Sequence, residues 1–123
     1  MKNCLYLFSF LLLSCYSVER NCTPFHEGSF EFSQIINGEL SRSVFKRTPE
    51  YEIERYKGVV DTATIRWVND CECILTKLNP SSNQDKRPIQ IKILSTTDKS
   101  YTFEYSLVGD DGNTQRGTIQ KIK

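Results

Sequence analysis

Alternation of apolar and polar residues, repeated in short segments along most of the chain, is the sequence feature that most restricts the fold. It is strictest at Ile89–Ile93 and Tyr101–Leu107, where every second residue is apolar or aromatic. A period of two residues is typical of a β-strand with one buried face. No stretch shows the 3.6-residue spacing of an amphipathic helix. The pattern therefore predicts an all-β fold.

Turn-forming residues divide this pattern into about eight segments at spacings of about ten residues. Asn37-Gly38 and Gly109–Asn113 are hairpin signals, Thr48-Pro49 and Asn69-Asp70 end strands, and residues 79–87 form the longest polar loop. Hairpins at this spacing predict an antiparallel up-and-down meander that forms a small barrel or half-barrel. Closure would remove exposed strand edges, which otherwise pair with other chains.

Aromatic residues dominate the predicted interior. We expect the interior to be filled, because filling is the default for a barrel this small. Trp67 is expected to be buried on the same strand face as Ile65, since the two residues are two positions apart. The predicted structural core consists of Phe30, Phe32, Trp67, Phe103 and Tyr105.

The segment Tyr51–Lys57 carries Tyr51 and Ile53 on one face and Glu52 and Glu54 on the other, in phase with Glu50 just before it. We interpret the acidic face, which consists of Glu50, Glu52 and Glu54, as a solvated outer face. Inward-facing charges at these positions would fit only a wet ligand cavity.

The N-terminal sequence MKNCLYLFSFLLLSC has the features of an export signal. Its apolar run, Leu5–Leu13, is too short for a membrane-spanning helix of about 20 residues and suits a signal peptide. The segment Leu12–Cys15 resembles the lipoprotein box, in which a small residue precedes the acylated cysteine. We expect residues 1–14 to be the signal peptide, 15–21 a tether lipidated at Cys15, and 22–123 a single β-meander domain. An ordinary signal peptide or a membrane-anchored N-terminus is the alternative.

Export and charge together restrict the partners. Removal of residues 1–14 from the 123 leaves 109 residues, with 15 Lys+Arg against 15 Asp+Glu because Lys2 is lost. No basic excess indicates a nucleic-acid partner. We expect a monomer in the cell envelope, attached through Cys15 and facing the periplasm from the outer membrane.

Three cysteines remain for the folded domain: Cys22, Cys71 and Cys73. An odd number in an oxidising compartment predicts one disulfide and one free thiol. Two positions apart on one strand, Cys71 and Cys73 would be separated by about 7 Å, which is long for a disulfide. Cys22 should therefore pair with one of them. We favour Cys71, because it follows the Asn69-Asp70 turn at a strand end.

A zinc site is the alternative use of these thiols. Cys22, Cys71 and Cys73 could join His26, the one histidine of the chain, in a Cys3His set. Thiols outside the cytoplasm tend to oxidise, which favours the disulfide. We therefore predict no metal and no cofactor.

The remaining candidate sites have simpler structural explanations. His26 and Glu27 lack the matched nucleophile that acid–base catalysis would need. Gly109–Asn113 lacks the spacing and the terminal Glu of an EF-hand loop and is typical of a hairpin turn. Arg66 beside Trp67 is expected to form a structural cation–π stack. No phosphate loop, serine triad or metal-hydrolase motif is present, so we expect no enzyme.

Three segments resemble a family of small, uncharacterised lipoproteins from Bacteroidota: Asn21–Phe32, Ile65–Glu72 and Tyr101–Tyr105. The resemblance covers nearly the whole mature chain, and Trp-x-Asn-Asp-Cys is its most specific part. It implies a lipocalin-like β-meander. It also supports the pairing of Cys22 with Cys71, positions at which the family typically has cysteine, whereas Cys73 departs from the family pattern.

Similar chains carry the name DNA topoisomerase IV, but the residues argue against that activity. A type II topoisomerase needs an ATPase domain, a carboxylate–metal cluster and a tyrosine nucleophile on a much larger frame. An exported, net-neutral domain of this size would meet neither DNA nor ATP.

Two classes of function remain. We expect an envelope lipoprotein with a structural or protein-interaction role, and the alternative is a lipocalin-like binder of a small apolar or amphiphilic ligand. Interior volume separates the two, because bulky inward aromatics would fill the core. Small or polar residues such as Thr62, Thr64 and Gly117 would leave room for a ligand if they faced inward.

Overall fold

The computed structural model describes residues 20–123, which form eight antiparallel strands in one closed barrel. Each strand pairs with the next along the chain, and the last pairs with the first. This confirms the predicted all-β, up-and-down architecture, with a full barrel as the closure. The predictions for the signal peptide and for Cys15 lie outside the described residues. The strands are β1 (Gly28–Ile36), β2 (Glu39–Arg47), β3 (Tyr51–Tyr56), β4 (Val59–Asn69), β5 (Glu72–Lys77), β6 (Ile89–Thr96), β7 (Ser100–Leu107) and β8 (Gln115–Lys121).

Tight hairpins join the first four strands in pairs. Asn37 and Gly38 have φ values of 52° and 78°, and Lys57 and Gly58 have 48° and 77°. Two consecutive residues at positive φ give a turn whose twist matches that of the flanking strands. Because successive antiparallel strands run in opposite directions, the β1–β2 and β3–β4 turns lie at the same end of the barrel.

Two short 3₁₀ turns, Thr23–Phe25 and Asp111–Asn113, are the helical segments of the described chain. Within residues 20–123, no helix is long and apolar enough to cross a membrane. The second turn closes the β7–β8 connection, where the Asn113 side-chain amide donates to the Asp110 carboxylate at 2.9 Å. The Gly109–Asn113 segment is thus a hydrogen-bonded turn.

Inward-facing aromatic rings form the core. Phe30 and Phe103 belong to the buried cluster, and Phe32, Trp67 and Tyr105 are partly buried and pack against that cluster. Phe103 contacts the rings of Phe32 and Tyr105, with centroids 5.8 Å and 5.5 Å away. Such ring pairs contribute about 0.5–1.5 kcal/mol beyond the burial of their area.

Gly117 on β8 lies against this core. A Cβ atom there would come within 2.8 Å of the Phe32 ring and 3.1 Å of the Phe103 ring. The expectation that Gly117 leaves room for a ligand is wrong, because the two rings occupy the space that a side chain would take.

The segment before β1 closes one end of the barrel. Phe25 is only 1% exposed, and its ring lies 5.1 Å from that of Tyr101 on β7. Cys22 is bonded to Cys71, which immediately precedes β5. This is the predicted pairing, and it ties the N-terminal segment to the β4–β5 hairpin. Cys73 is left as a buried free thiol.

The two faces of β3 are opposite to those that we expected. Glu52 pairs across the sheet with Arg47, and Glu54 pairs with Phe45, so both glutamates share the inner face with a buried arginine and a buried phenylalanine. Tyr51 therefore points outward and is 38% exposed. The interpretation of Glu52 and Glu54 as solvated is wrong, because pairing with β2 decides which face of β3 lies inside.

The pairing of β4 with β3 corrects two expectations for β4. Thr62 and Thr64 pair with outward-facing residues of β3 and so do not line the interior. Arg66 is exposed on the outer face, since Trp67 and Ile65 share the inner one. The arginine that faces the Trp67 ring is Arg47, with Cζ 5.7 Å from the ring centroid.

Candidate ligand-binding site

The barrel lumen contains a cavity of about 160 Å³. A second cavity of about 290 Å³ lies toward the β1–β2 and β3–β4 turns. Three residues, Phe32, Ser43 and Glu54, line both cavities. We call the first cavity the inner cavity and the second the mouth. The inner cavity is lined by Phe32, Ser43, Phe45, Arg47, Glu52, Glu54, Leu75, Ile89, Ile91, Phe103, Tyr105 and Ile119. The mouth is lined by Phe32, Gln34, Ile36, Ser41, Ser43, Glu54 and Tyr56.

Arg47 forms the floor of the inner cavity. Its side chain is 1% exposed, and Nε donates to Glu52 Oε1 at 2.9 Å. Nη1 donates to the carbonyl oxygen of Phe25 at 3.1 Å, which holds the N-terminal segment against the barrel. The guanidinium also faces four rings, those of Phe30, Phe45, Trp67 and Tyr101, with Cζ 5.0–5.7 Å from their centroids.

This environment keeps Arg47 charged. Burial alone would lower its pKa, but Tyr101 and Glu52 beside the guanidinium raise it. Because the Glu52 carboxylate lies against the guanidinium, the pair is neutral as a unit. A buried pair of this kind is stable only when its hydrogen bonds are made, as they are here.

Glu54 lies between the inner cavity and the mouth and contributes to the walls of both. Within residues 20–123, its carboxylate makes no hydrogen bond and no ion pair. Burial is the largest cause of its raised pKa, and Glu52 and Asp61 raise the pKa further, whereas Lys77 lowers it. An ionisable group is therefore held half-buried without a partner among these residues.

The mouth is more polar than the inner cavity. Ser41 Oγ and Tyr56 Oη are hydrogen-bonded at 2.8 Å, and this bond lowers the pKa of Tyr56. On the other side of the barrel, Tyr105 Oη donates to Gln115 Oε1 at 2.8 Å. Polar groups at the opening and apolar walls inside match the general build of ligand pockets.

Two ionisable groups of the core, the Cys73 thiol and the Tyr101 hydroxyl, are deeply buried. Burial raises the pKa of Cys73 to about 12, so its thiol stays protonated at neutral pH. Burial also raises the pKa of Tyr101. The Tyr101 hydroxyl and the Trp67 Nε1 atom are buried without a hydrogen-bond partner in the described part of the chain.

His26 lies at the closed end, away from the cavity. Its ring stacks on Trp67 at 3.8 Å, and Nε2 donates to the carbonyl oxygen of Asp70 at 2.7 Å. The histidine therefore packs the N-terminal segment against the β4–β5 hairpin. The Cys22–Cys71 bond uses two thiols of the alternative zinc set, and residues 20–123 contain no group of His, Cys, Asp and Glu placed to hold a metal ion.

The outer face of β5–β7 carries a groove of about 400 Å³. Its polar walls include Gln90, whose amide donates to Ser106 Oγ and to Asp111 Oδ1. These bonds attach the second 3₁₀ turn to the sheet beside the groove.

Sequence reasoning missed Arg47 and misplaced Glu52 and Glu54. A signal was available, because Ser43, Phe45 and Arg47 alternate in phase along β2. Placing Phe45 inside also places Arg47 inside, and a buried arginine requires an acidic neighbour.

Comparison of the chain with protein-family models, with curated proteins and with solved structures finds no match.

Proposed function

We propose that this chain is a non-enzymatic domain that binds a small amphiphilic molecule in the barrel lumen. One observation carries the proposal: Glu54, half-buried in the lumen, has no partner among the described residues. Burying an unpaired charge costs stability, and a sequence selected for stability alone would place an apolar residue there. A bound ligand would explain the retained glutamate.

The interior volume supports the same conclusion. Bulky aromatics fill the closed half of the barrel, yet the lumen between Phe103 and Glu54 remains open as the inner cavity. The glutamates that we expected outside form part of its wall. Inward charges were the arrangement expected of a wet ligand cavity, so the ligand-binding alternative becomes the favoured one.

A protein-interaction role is the second candidate, and one surface favours it. Ile35 and Leu40 pair across the β1–β2 hairpin and are 74% and 73% exposed. Val59 and Val60, beside the β3–β4 turn, are 59% and 55% exposed. These aliphatic side chains lie at the end of the barrel that carries the β1–β2 and β3–β4 turns, where a partner protein could dock.

We also propose that the chain is an envelope lipoprotein anchored through Cys15. Its apolar N-terminal run and Leu-Leu-Ser-Cys segment support this location. The Cys22–Cys71 bond supports an oxidising compartment. Cys15→Ser should abolish labelling by a fatty-acid analogue and release the protein from membranes. Unchanged membrane association of that variant would refute the anchor.

Blocking the lumen tests the binding function. N-phenyl-1-naphthylamine, an apolar fluorescent probe, should brighten with the released Cys15→Ser protein and fail to brighten when Ser43→Phe is added. Ser43 is 9% exposed and lines both cavities, so a phenylalanine ring there would occupy the lumen. Ser33→Phe, on the exposed outer face of β1, is the matched control and should leave probe binding intact. Equal binding by all three proteins, or none by the parent, would refute lumen binding.

A further inference from the structure

We infer that the lumen selects a ligand with a protonated amine, which Glu54 binds while the apolar body of the ligand occupies the inner cavity. This inference rests on the proposed function and names the class of ligand.

Glu54 lies where a ligand would change from polar to apolar surroundings. On the inner side, the walls are mainly aliphatic and aromatic, with Leu75, Ile89 and Phe103 among them. On the outer side are the hydroxyls of Ser41 and Tyr56. A molecule that places its polar end at Glu54 can therefore bury its apolar part inward, which contributes about 25 cal/mol for each Å² of apolar surface removed from water.

The charges of the lumen favour a cation. Arg47 and Glu52 neutralise each other through a hydrogen bond of 2.9 Å. Lys77 lies 3.6 Å from Asp85 in the loop after β5, so its charge already has an acidic partner. Asp61 pairs with Glu54 across the sheet and adds a second negative charge beside it. The region around Glu54 therefore carries net negative charge and would repel a carboxylate or phosphate.

An amine fits this site better than a metal ion or a neutral donor. Within residues 20–123, no cluster of three acidic, histidine or cysteine side chains is placed to coordinate a metal. A neutral hydroxyl could donate one hydrogen bond to Glu54 but could not compensate its charge. A protonated amine does both, and charge-assisted hydrogen bonds are about twice as strong as neutral ones.

Three probes of equal chain length test the inference: hexylamine, hexan-1-ol and sodium hexanoate, each displacing N-phenyl-1-naphthylamine from the Cys15→Ser protein at pH 7. We expect hexylamine to bind about tenfold or more tightly than hexan-1-ol, which corresponds to about 1.4 kcal/mol, because the ammonium compensates the charge of Glu54 as well as donating a hydrogen bond to it. Hexanoate should bind most weakly.

Variants of Glu54 then separate charge from shape. In Glu54→Gln, the preference for hexylamine over hexan-1-ol should disappear, whereas binding of hexan-1-ol should stay the same. Glu54→Asp keeps the charge and should keep the preference. Glu104→Gln removes an acid from the outer face, where Glu104 pairs with Arg116, and should behave like the parent protein.

The outcomes distinguish this inference from the proposed function. Equal binding of the three probes, or an amine preference that persists in Glu54→Gln, would overturn the inference and leave lumen binding standing. Failure of N-phenyl-1-naphthylamine and all three probes to bind would overturn both.

Discussion

Replacement of Arg47 by methionine should be among the most destabilising single changes in the barrel. The variant loses the hydrogen bond from Nε to Glu52 at 2.9 Å and the one from Nη1 to the Phe25 carbonyl at 3.1 Å. It also leaves the Glu52 carboxylate, whose side chain is 13% exposed, without its partner. Removing one member of a buried ion pair costs about 3–5 kcal/mol, so we expect a loss in that range.

A double variant tests whether the cost comes from the unpaired charge. In Arg47→Met with Glu52→Leu, both charges are absent, and the interior becomes apolar at similar volume. Such replacements are often neutral for stability, but the Phe25 carbonyl would still lack its donor, at a cost of about 1–3 kcal/mol. We therefore expect the double variant to be more stable than Arg47→Met alone.

Urea denaturation followed by circular dichroism measures the free energy of unfolding of the parent, the two single variants and the double variant. The slope of the free energy of unfolding against urea concentration should be the same for the four proteins, because the surface exposed on unfolding hardly changes. If the cost of the double variant equals the sum of the two single costs, the pair is not coupled. That result, or a loss of unfolding free energy below about 1 kcal/mol for Arg47→Met, would refute the role of Arg47 as the partner of the buried Glu52 charge.

Four further predictions concern stability and reactivity. Trp67→Ala should cost about 3 kcal/mol, the low end for an aromatic core residue because its ring is only partly buried, and an unchanged urea midpoint would contradict this. Joint replacement of Cys22 and Cys71 by alanine should cost up to about 4 kcal/mol in the same assay, since the bond closes a loop across a separation of 49 residues; a loss below about 1 kcal/mol would argue against this entropic effect. Because burial raises the pKa of Cys73 to about 12, iodoacetamide at pH 8 should modify this thiol in urea but not in the native protein, as measured by mass spectrometry. Burial also raises the pKa of the Glu54 carboxyl, so the folded protein binds the proton of this carboxyl more tightly than the unfolded chain does. The ionised carboxylate therefore destabilises the fold increasingly as the pH rises above the usual pKa of a glutamate. Glu54→Gln should therefore raise the urea midpoint more at pH 7 than at pH 4, and an equal change at both would speak against the burial of this group.

Local pattern was sufficient to predict the strands and their order. Alternation such as Ile89–Ile93 has one favourable placement, because only one of its faces is apolar. Turn residues such as Asn37-Gly38 then limit each strand and join it to its neighbour. The Cys22–Cys71 bond was also predictable, since the number of thiols and the reach of a disulfide leave few pairings.

The alternation within β3 does not decide which of its faces lies inside, and the pairing with β2 in the folded barrel does. Tyr51 and Ile53 on one face and the glutamates on the other satisfy the alternation either way, and simple hydrophobicity chose the wrong face. Cross-strand pairing of Glu52 with Arg47 reverses that choice, because the buried guanidinium needs a carboxylate more than the core needs another apolar side chain.

The cavity likewise depends on residues far apart in the chain. Gly117 is small and faces inward, yet Phe32 and Phe103 fill the space beside it. The inner cavity opens instead beside Glu54, where side chains from seven of the eight strands meet without filling the lumen. Sequence pattern specifies which side chains of a strand share a face, but empty volume depends on how side chains from separate strands fit together, and only the closed barrel determines that fit.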